Sequence, residues 1–195
     1  MPFTRGDVLT PGTLARSPQP EISGDGLVLR PWTAADAPQV YEAFQDPVMH
    51  LWAIRSADSE EEVRGWIEQW TRVWRTERAA QWAVADTGGS RLLGRVALRD
   101  MLLGDGVAEV AYWTLPAARG SGVAPRAVRA LTRWAFDDIG FHRLELTHAE
   151  ANEASCRVAE KTGFAFEGVK RSALLHQDGW HDMHLHARLQ DDERP

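Results

Sequence analysis

The stretch that most constrains this chain is Tyr112-Trp113-Thr114-Leu115-Pro116-Ala117-Ala118-Arg119-Gly120-Ser121-Gly122-Val123-Ala124-Pro125, where an alternating apolar run passes through a glycine-rich turn into a helical pattern. A strand, a loop and a helix start follow one another directly. The first N–H groups of a helix have no intrahelical acceptor, and the helix dipole adds partial positive charge where they converge, so such a junction attracts phosphate. Pro125 falls in the first turn, where its missing N–H costs nothing and its fixed φ suits the helix. Gly120 and Gly122 let the backbone approach a ligand closely. The plain alternative is a tight strand-to-helix turn whose small residues serve packing.

What the loop lacks narrows the ligand. It has no Gly-Lys-Ser/Thr ending for a nucleoside triphosphate and Mg²⁺. It does not read Gly-x-Gly-x-x-Gly, and no acidic residue follows at the spacing of a ribose contact, which argues against a dinucleotide fold. Arg119-Gly120-Ser121-Gly122-Val123-Ala124 resembles instead the Arg/Gln-x-x-Gly-x-Gly/Ala loop of the GNAT N-acetyltransferases, which holds the pyrophosphate of acetyl-CoA.

At 195 residues, 44% of them hydrophobic, the chain is sized for one well-buried core. No run approaches the ~18 apolar residues of a membrane span, and Met1 to Pro20 has no apolar secretion segment, so a cytoplasmic protein without a membrane partner is expected. Cys156 is the lone cysteine, which excludes an intrachain disulfide and a cysteine-built metal site. A formal net charge of −6 argues against nucleic acid as a partner and suits a cationic amine substrate. Most of the nine tryptophans are expected to fill core space, with some lining a groove.

Residues 1–25 are rich in Pro, Gly and Ser without a sustained period and read as an extended or partly disordered arm, packed on the body or on a partner; residues 26–190 read as the domain. Leu27 to Trp32 forms a first strand, and Thr33 to Asp36 leads into a helix through Phe44, with Asp36 and Gln39 as a capping pair. Ser59-Glu60-Glu61-Glu62 is a capping box for an amphipathic helix carrying Val63, Trp66, Ile67, Trp70, Val73 and Trp74. Gln81 to Ala85, Leu92 to Leu98 and Val107 to Leu115 form an antiparallel meander through Thr87-Gly88-Gly89 and Gly104-Asp105-Gly106 turns. A helix then ends near Gly140, followed by a strand at Arg143 to Thr147 and a short helix at Asn152 to Thr162. The chain closes in a hairpin, Lys170 to His176 and His181 to Leu189, turning at Gln177-Asp178-Gly179.

Further stretches strengthen the likeness: Ala108-Glu109-Val110-Ala111-Tyr112-Trp113 before the loop, Asn152-Glu153-Ala154-Ser155 and Glu160-Lys161-Thr162-Gly163-Phe164 after it, and Glu167-Gly168 entering the hairpin. In this order and spacing they resemble the RimJ/RimL-like branch of the GNAT family, which includes ribosomal-protein N-terminal acetyltransferases. The resemblance implies an α/β, acyl-CoA N-acyltransferase fold, with a twisted, mostly antiparallel sheet flanked by helices and acetyl-CoA as co-substrate. It implies that the strand through Trp113 and Leu115 bonds the pantetheine arm by its backbone, that Arg119, Gly120, Ser121, Gly122, Val123 and Ala124 hold the pyrophosphate, and that Asn152 holds the arm from the other side. Relatives often pair, so a homodimer is an expected state.

Acetyl transfer needs a neutral amine, so a proton acceptor is required near the thioester. Glu109 is the first choice, from its place on the strand that delivers the loop, where the resemblance implies that some relatives supply their base; the alternatives are a cross-strand salt bridge and a residue that holds the substrate ammonium. Glu145 and His148 are the substitutes. The resemblance implies that Ser155, one helical turn after Asn152, lies near the sulfur, where it would protonate the departing thiolate; the plain alternative for both residues is helix capping. Some RimL-type enzymes carry a glutamate where Leu174 aligns here, so a base at that point is lost or moved in this chain. His176, His181, His184 and His186, on alternate strand positions, are read as backbone or substrate contacts, and no metal is expected. The expected activity is acetylation of a protein or peptide N-terminus in a ternary complex. The alternatives are a small amine such as an aminoglycoside, polyamine or amino-acid derivative, and a non-catalytic acyl-CoA-binding module.

Overall fold

The alternating apolar segments assemble into one eight-stranded sheet. The computed structural model describes residues 5–52 and 55–193. The strands are β1 (Ile22–Gly24), β2 (Leu27–Pro31), β3 (Ala80–Ala85), β4 (Leu92–Leu102), β5 (Val107–Thr114), β6 (Arg143–Ala149), β7 (Ala165–His176) and β8 (Gly179–Leu189). Their order is β1-β2-β3-β4-β5-β6-β8-β7. All the pairs are antiparallel except β5 with β6, the expected mostly antiparallel arrangement. All six residues of β3 are buried, as befits a strand covered on both faces.

Five helices cover the faces: α1 (Ala37–Ala43), α2 (Pro47–Trp52), α3 (Glu60–Val73), α4 (Val123–Arg133) and α5 (Glu153–Lys161). On α3 the apolar positions bury Val63, Trp66 and Ile67 against α1 and the sheet in one core cluster. Each such side chain contributes about 1.5–3 kcal/mol. Ser59 caps α3 as expected by accepting from Glu62 N–H at 3.2 Å, while the Glu62 carboxylate reaches Asp58 N–H. On the other face α4 buries Val123, Ala127, Val128 and Leu131 in a second cluster. It continues as a π-helical turn, Trp134–Ile139, and stops at Gly140, whose φ of 92° a residue with a side chain rarely adopts.

Two local expectations change. Asp36 does not pair with Gln39; it accepts from Thr33 N–H at 2.9 Å and from Arg30 at 2.7 and 2.9 Å, because the guanidinium on β2 stands over the helix start. Residues 5–25 of the arm lie against the body, while Met1 to Thr4 fall outside the described residues. Leu9, Leu14 and Ile22 join the α4-side core cluster, and the indole N–H groups of Trp74 and Trp82 donate to the carbonyls of Ser17 and Pro20, both at 2.8 Å. The arm has no sequence period because its buried residues are irregularly spaced anchors. The short helix α2 also lacks a periodic signal.

Candidate active site

The site follows from where two parallel strands stop pairing. β5 and β6 pair at Val107 with Arg143, Ala108 with Leu144 and Glu109 with Glu145, and their ladder ends there. Beyond that point β5 continues beside β4 and β6 beside β8. The strands therefore splay, and Val110 to Trp113 on one side and Leu146 to Ala149 on the other line a groove of about 470 Å³. A splayed parallel pair leaves backbone N–H and C=O groups with no strand partner, which suits an extended ligand carrying amides of its own.

The register decides which groups face the opening. Leu115 N–H donates to Leu93 C=O at 2.9 Å, so its donor is spent on the β4 side. In an antiparallel ladder the bonded pairs recur every second residue, so Trp113, opposite Arg95, also turns its backbone toward β4. Tyr112 and Thr114 present theirs to the opening, as does the carbonyl of Val110, whose N–H lies in the last step of the ladder with β6. The backbone groups left free thus lie one residue away from Trp113 and Leu115, an offset that depends on pairing with a different strand. Gly94 permits the close approach of β4, since a Cβ there would stand 2.3 Å from Trp113 C=O.

At the end of β5 the loop turns through a 3₁₀ segment, Pro116–Ala118, into α4. Gly120 and Gly122 have φ of 75° and 73°, and a Cβ on either would meet no protein atom within 4 Å. The glycines are therefore needed for backbone conformation and for the space in front of the loop. Val123 and Ala124, in the first turn of α4, present N–H groups without intrahelical acceptors. Ser121 Oγ donates back to Ala118 C=O at 2.7 Å and braces the turn. The Arg119 guanidinium donates to Asp46 at 2.9 Å, a carboxylate also held by Val48 and Met49 N–H groups.

Asn152 and Ser155 line the groove opposite. Asn152 Oδ1 accepts from Ser155 N–H at 3.1 Å, so the residue caps α5 and its amide NH₂ group is left over for a ligand. Tyr112 comes to the same place and carries no signal in the sequence, since it reads as one more apolar alternation. Its buried hydroxyl lacks a hydrogen-bond partner among the described residues, and Ser155 is the neighbouring hydroxyl. Burial pushes the phenol up to about 12, so it stays protonated.

The two carboxylates singled out as bases are held elsewhere. Glu109 pairs with Arg99, its direct partner across β4, at 2.7 Å, and Glu145 with Arg143 at 2.8 Å. Neither is among the groove-lining residues, and Leu174, which is, brings no carboxylate. His148 does line the groove. It is buried, its Nδ1 is 2.8 Å from Ala149 C=O, and its Nε2 is 3.2 Å from His186 Nε2. Burial holds the imidazole below the ordinary histidine range, and the charges of His186 and His184 add to this, so it is neutral at pH 7. The hairpin histidines do not act as one set. His184 and His186 ring-pack with His148, while His176 stacks on His181 at 4.5 Å and contacts Leu51 C=O.

The far half of the groove is built from side chains. Phe44, Trp66, Trp70 and Trp113 form one wall, with ring centroids 5.3–6.5 Å apart between neighbours. Arg55, Arg95 and Arg99 also line the groove, and among the described residues no aspartate or glutamate does. The local sign is opposite to that of the whole chain, so the expectation that net charge favours a cationic substrate does not carry to this site.

A splayed central strand pair thus opens beside a glycine-rich strand-to-helix loop. Residues 26–165 match the acetyltransferase (GNAT) domain, and the chain belongs to that family. It is 26% identical to the uncharacterised N-acetyltransferase YoaA of Bacillus subtilis over 82% of this chain and 90% of that one. It is 29% identical to the ribosomal-protein-serine acetyltransferase of Escherichia coli over 44% of this chain and 48% of that one. The structure of a GNAT-family acetyltransferase from Bacillus anthracis superposes with a TM-score of 0.79 at 23% identity, covering 89% of this chain and all of that one. The protein is an acetyltransferase that uses acetyl-CoA.

Proposed function

We propose that this enzyme acetylates the α-amine of a protein or peptide N-terminus in a ternary complex with acetyl-CoA. The observation that carries the choice of acceptor is the charge of the groove, lined among the described residues by three arginines, of which Arg99 is paired with Glu109, and by no aspartate or glutamate. Polyamines and aminoglycosides bring several ammonium groups into a like-charged site. An N-terminus brings one amine of pKa ~8, which the same field helps to keep neutral. The likeness to a ribosomal-protein-serine acetyltransferase supports the reading.

Acetyl-CoA supplies the activated acyl group. The backbones of Val110, Tyr112 and Thr114, the Asn152 amide and the loop from Arg119 to Ala124 would hold it. As the amine nitrogen bonds to the thioester carbonyl carbon and the C–S bond breaks, the amine loses one proton and the sulfur gains one. In this reading His148 takes the first, directly or through water, with His186 beside it as a relay. Ser155, next to Tyr112, gives the second. Both are general acid–base steps by groups that line the groove.

The test is a panel of acceptors at fixed acetyl-CoA, with thiol release as readout. Peptides with free N-termini should exceed polyamines and aminoglycosides in kcat/KM by about tenfold or more. A panel in which a polycationic amine leads would overturn the assignment.

A further inference from the structure

Arg95 is one of three arginines in the groove that the reaction leaves unused, and among the described residues no salt-bridge partner holds it. It lies on β4 between Ala83 of β3 and Trp113 of β5, so its backbone is fixed on both sides. Its guanidinium donates through Nε, at 2.7 Å, and Nη2 to Gln81 Oε1, and its Cζ stands 5.5 Å from the Trp70 ring centroid. Among the described residues no carboxylate lies within ion-pair distance of it. Two further guanidiniums line the same wall. Arg55 stands over Trp66 at 5.8 Å, and Arg99 pairs with Glu109 at 2.7 Å while its Nε lies 4.0 Å from the Asp100 carboxylate.

Such a cluster is costly. Burial, with the like charges of Arg99 and Arg55, pulls the Arg95 guanidinium down to about 10. A desolvated cation facing other cations is destabilising unless an anion completes it, and removing one partner of a buried pair leaves a large penalty. Arg30 and Arg143 have their carboxylates, Asp36 for the one and Glu145 and Glu167 for the other, and Arg99 has Glu109. An arginine fork also matches a carboxylate better than a neutral amide.

We propose that the acceptor brings the missing anion: a carboxylate on the second or third residue of the acetylated peptide, bound by Arg95 with Arg55 and Arg99 around it and seated against Trp66 and Trp70. The inference rests on the reading that the groove takes a peptide amine, and it adds an acidic side chain as the recognised class. It also couples recognition to chemistry, since the cluster that draws the carboxylate in disfavours a charged ammonium beside it.

The experiment compares peptide pairs that differ only by glutamate or glutamine at positions two and three, on the full chain. The acidic member should have the larger kcat/KM by about tenfold or more, as expected for a charged hydrogen-bonded partner. Arg95→Met, which keeps the packing on Trp70, should abolish the preference, and Arg95→Lys should restore part of it. Arg55→Gln, at an exposed position, should reduce it several-fold and serves if the Arg95 variants do not fold. Equal turnover of both members by the wild-type enzyme overturns the inference while leaving the peptide reading intact. If no peptide is turned over, calorimetry of the N-acetylated peptides on CoA-loaded protein decides: tighter binding of the acidic one supports the inference, and equal binding overturns it. Turnover confined to small amines that bear a carboxylate would keep the anion site and remove the peptide reading.

Discussion

The two halves of the groove are made of different parts of the polypeptide. Along the splayed strands and the loop before α4 the functional groups are backbone N–H and C=O, with glycine where φ or space requires it. In the acceptor half they are side chains of Trp66 and Trp70 on α3, Gln81 on β3, Arg95 and Arg99 on β4, and Leu174 and His176 on β7. A backbone site tolerates most side-chain changes and is broken by few. A side-chain site changes its ligand with each substitution, which is where members of one family come to differ in substrate.

The sharpest break between donor handling and chemistry should come from His148→Gln. If His148 takes the amine proton, kcat should fall by roughly two to four orders of magnitude with CoA affinity unchanged. Glu109→Gln, outside the groove, should alter kcat by no more than about threefold and cost about 1 kcal/mol of stability through its partly exposed pair with Arg99. Steady-state kinetics with calorimetry on both variants checks this, and a hundredfold loss in the glutamate variant would return the base to β5.

Next in size is Gly122→Asp, which breaks the backbone half alone. Forcing a side chain at φ 73° costs about 1–3 kcal/mol and sets a carboxylate where phosphate is to bind, so CoA affinity should drop by about 30- to 100-fold. Arg119→Ala should weaken CoA less, because Asp46 already shares that guanidinium. Unchanged CoA affinity in the folded Gly122 variant would remove the cradle assignment.

Smaller effects sharpen the comparison at the junction of the halves. Tyr112→Phe and Ser155→Ala should each lower kcat by about tenfold with little change in CoA affinity, as for groups that act on the leaving sulfur. If Tyr112 only packs, its variant keeps wild-type kcat.

The smallest concerns pH. His148 and His186 both lie below the ordinary histidine value, chiefly through burial, so the unfolded chain takes up their protons at higher pH than the folded one. Their stabilisation is complete above about pH 6.5 and is lost as pH falls through the folded values. Denaturant midpoints should decline across that range, and His148→Gln should flatten the decline.

What the sequence determined by itself is contiguous in the chain. The glycines before α4, Pro125 in its first turn, the Ser59 cap and the Asn152 cap each act within a few residues, so composition and spacing expose them. The periodicity of α3 and the meander from β3 to β5 are legible for the same reason. Tertiary structure decided whatever depends on register between separate strands. Pairing with β4 turned the backbone groups of Trp113 and Leu115 away from the opening and put Glu109 against Arg99. The point at which β6 stops pairing with β5 created the groove, and no local pattern marks it. The hairpin and β6 divided the histidines into two groups. Arg55, from a distant stretch of the chain, joined Arg95 and Arg99 of β4 on one wall, giving a net-acidic chain a locally positive groove, because electrostatic fields add in space and not along the chain.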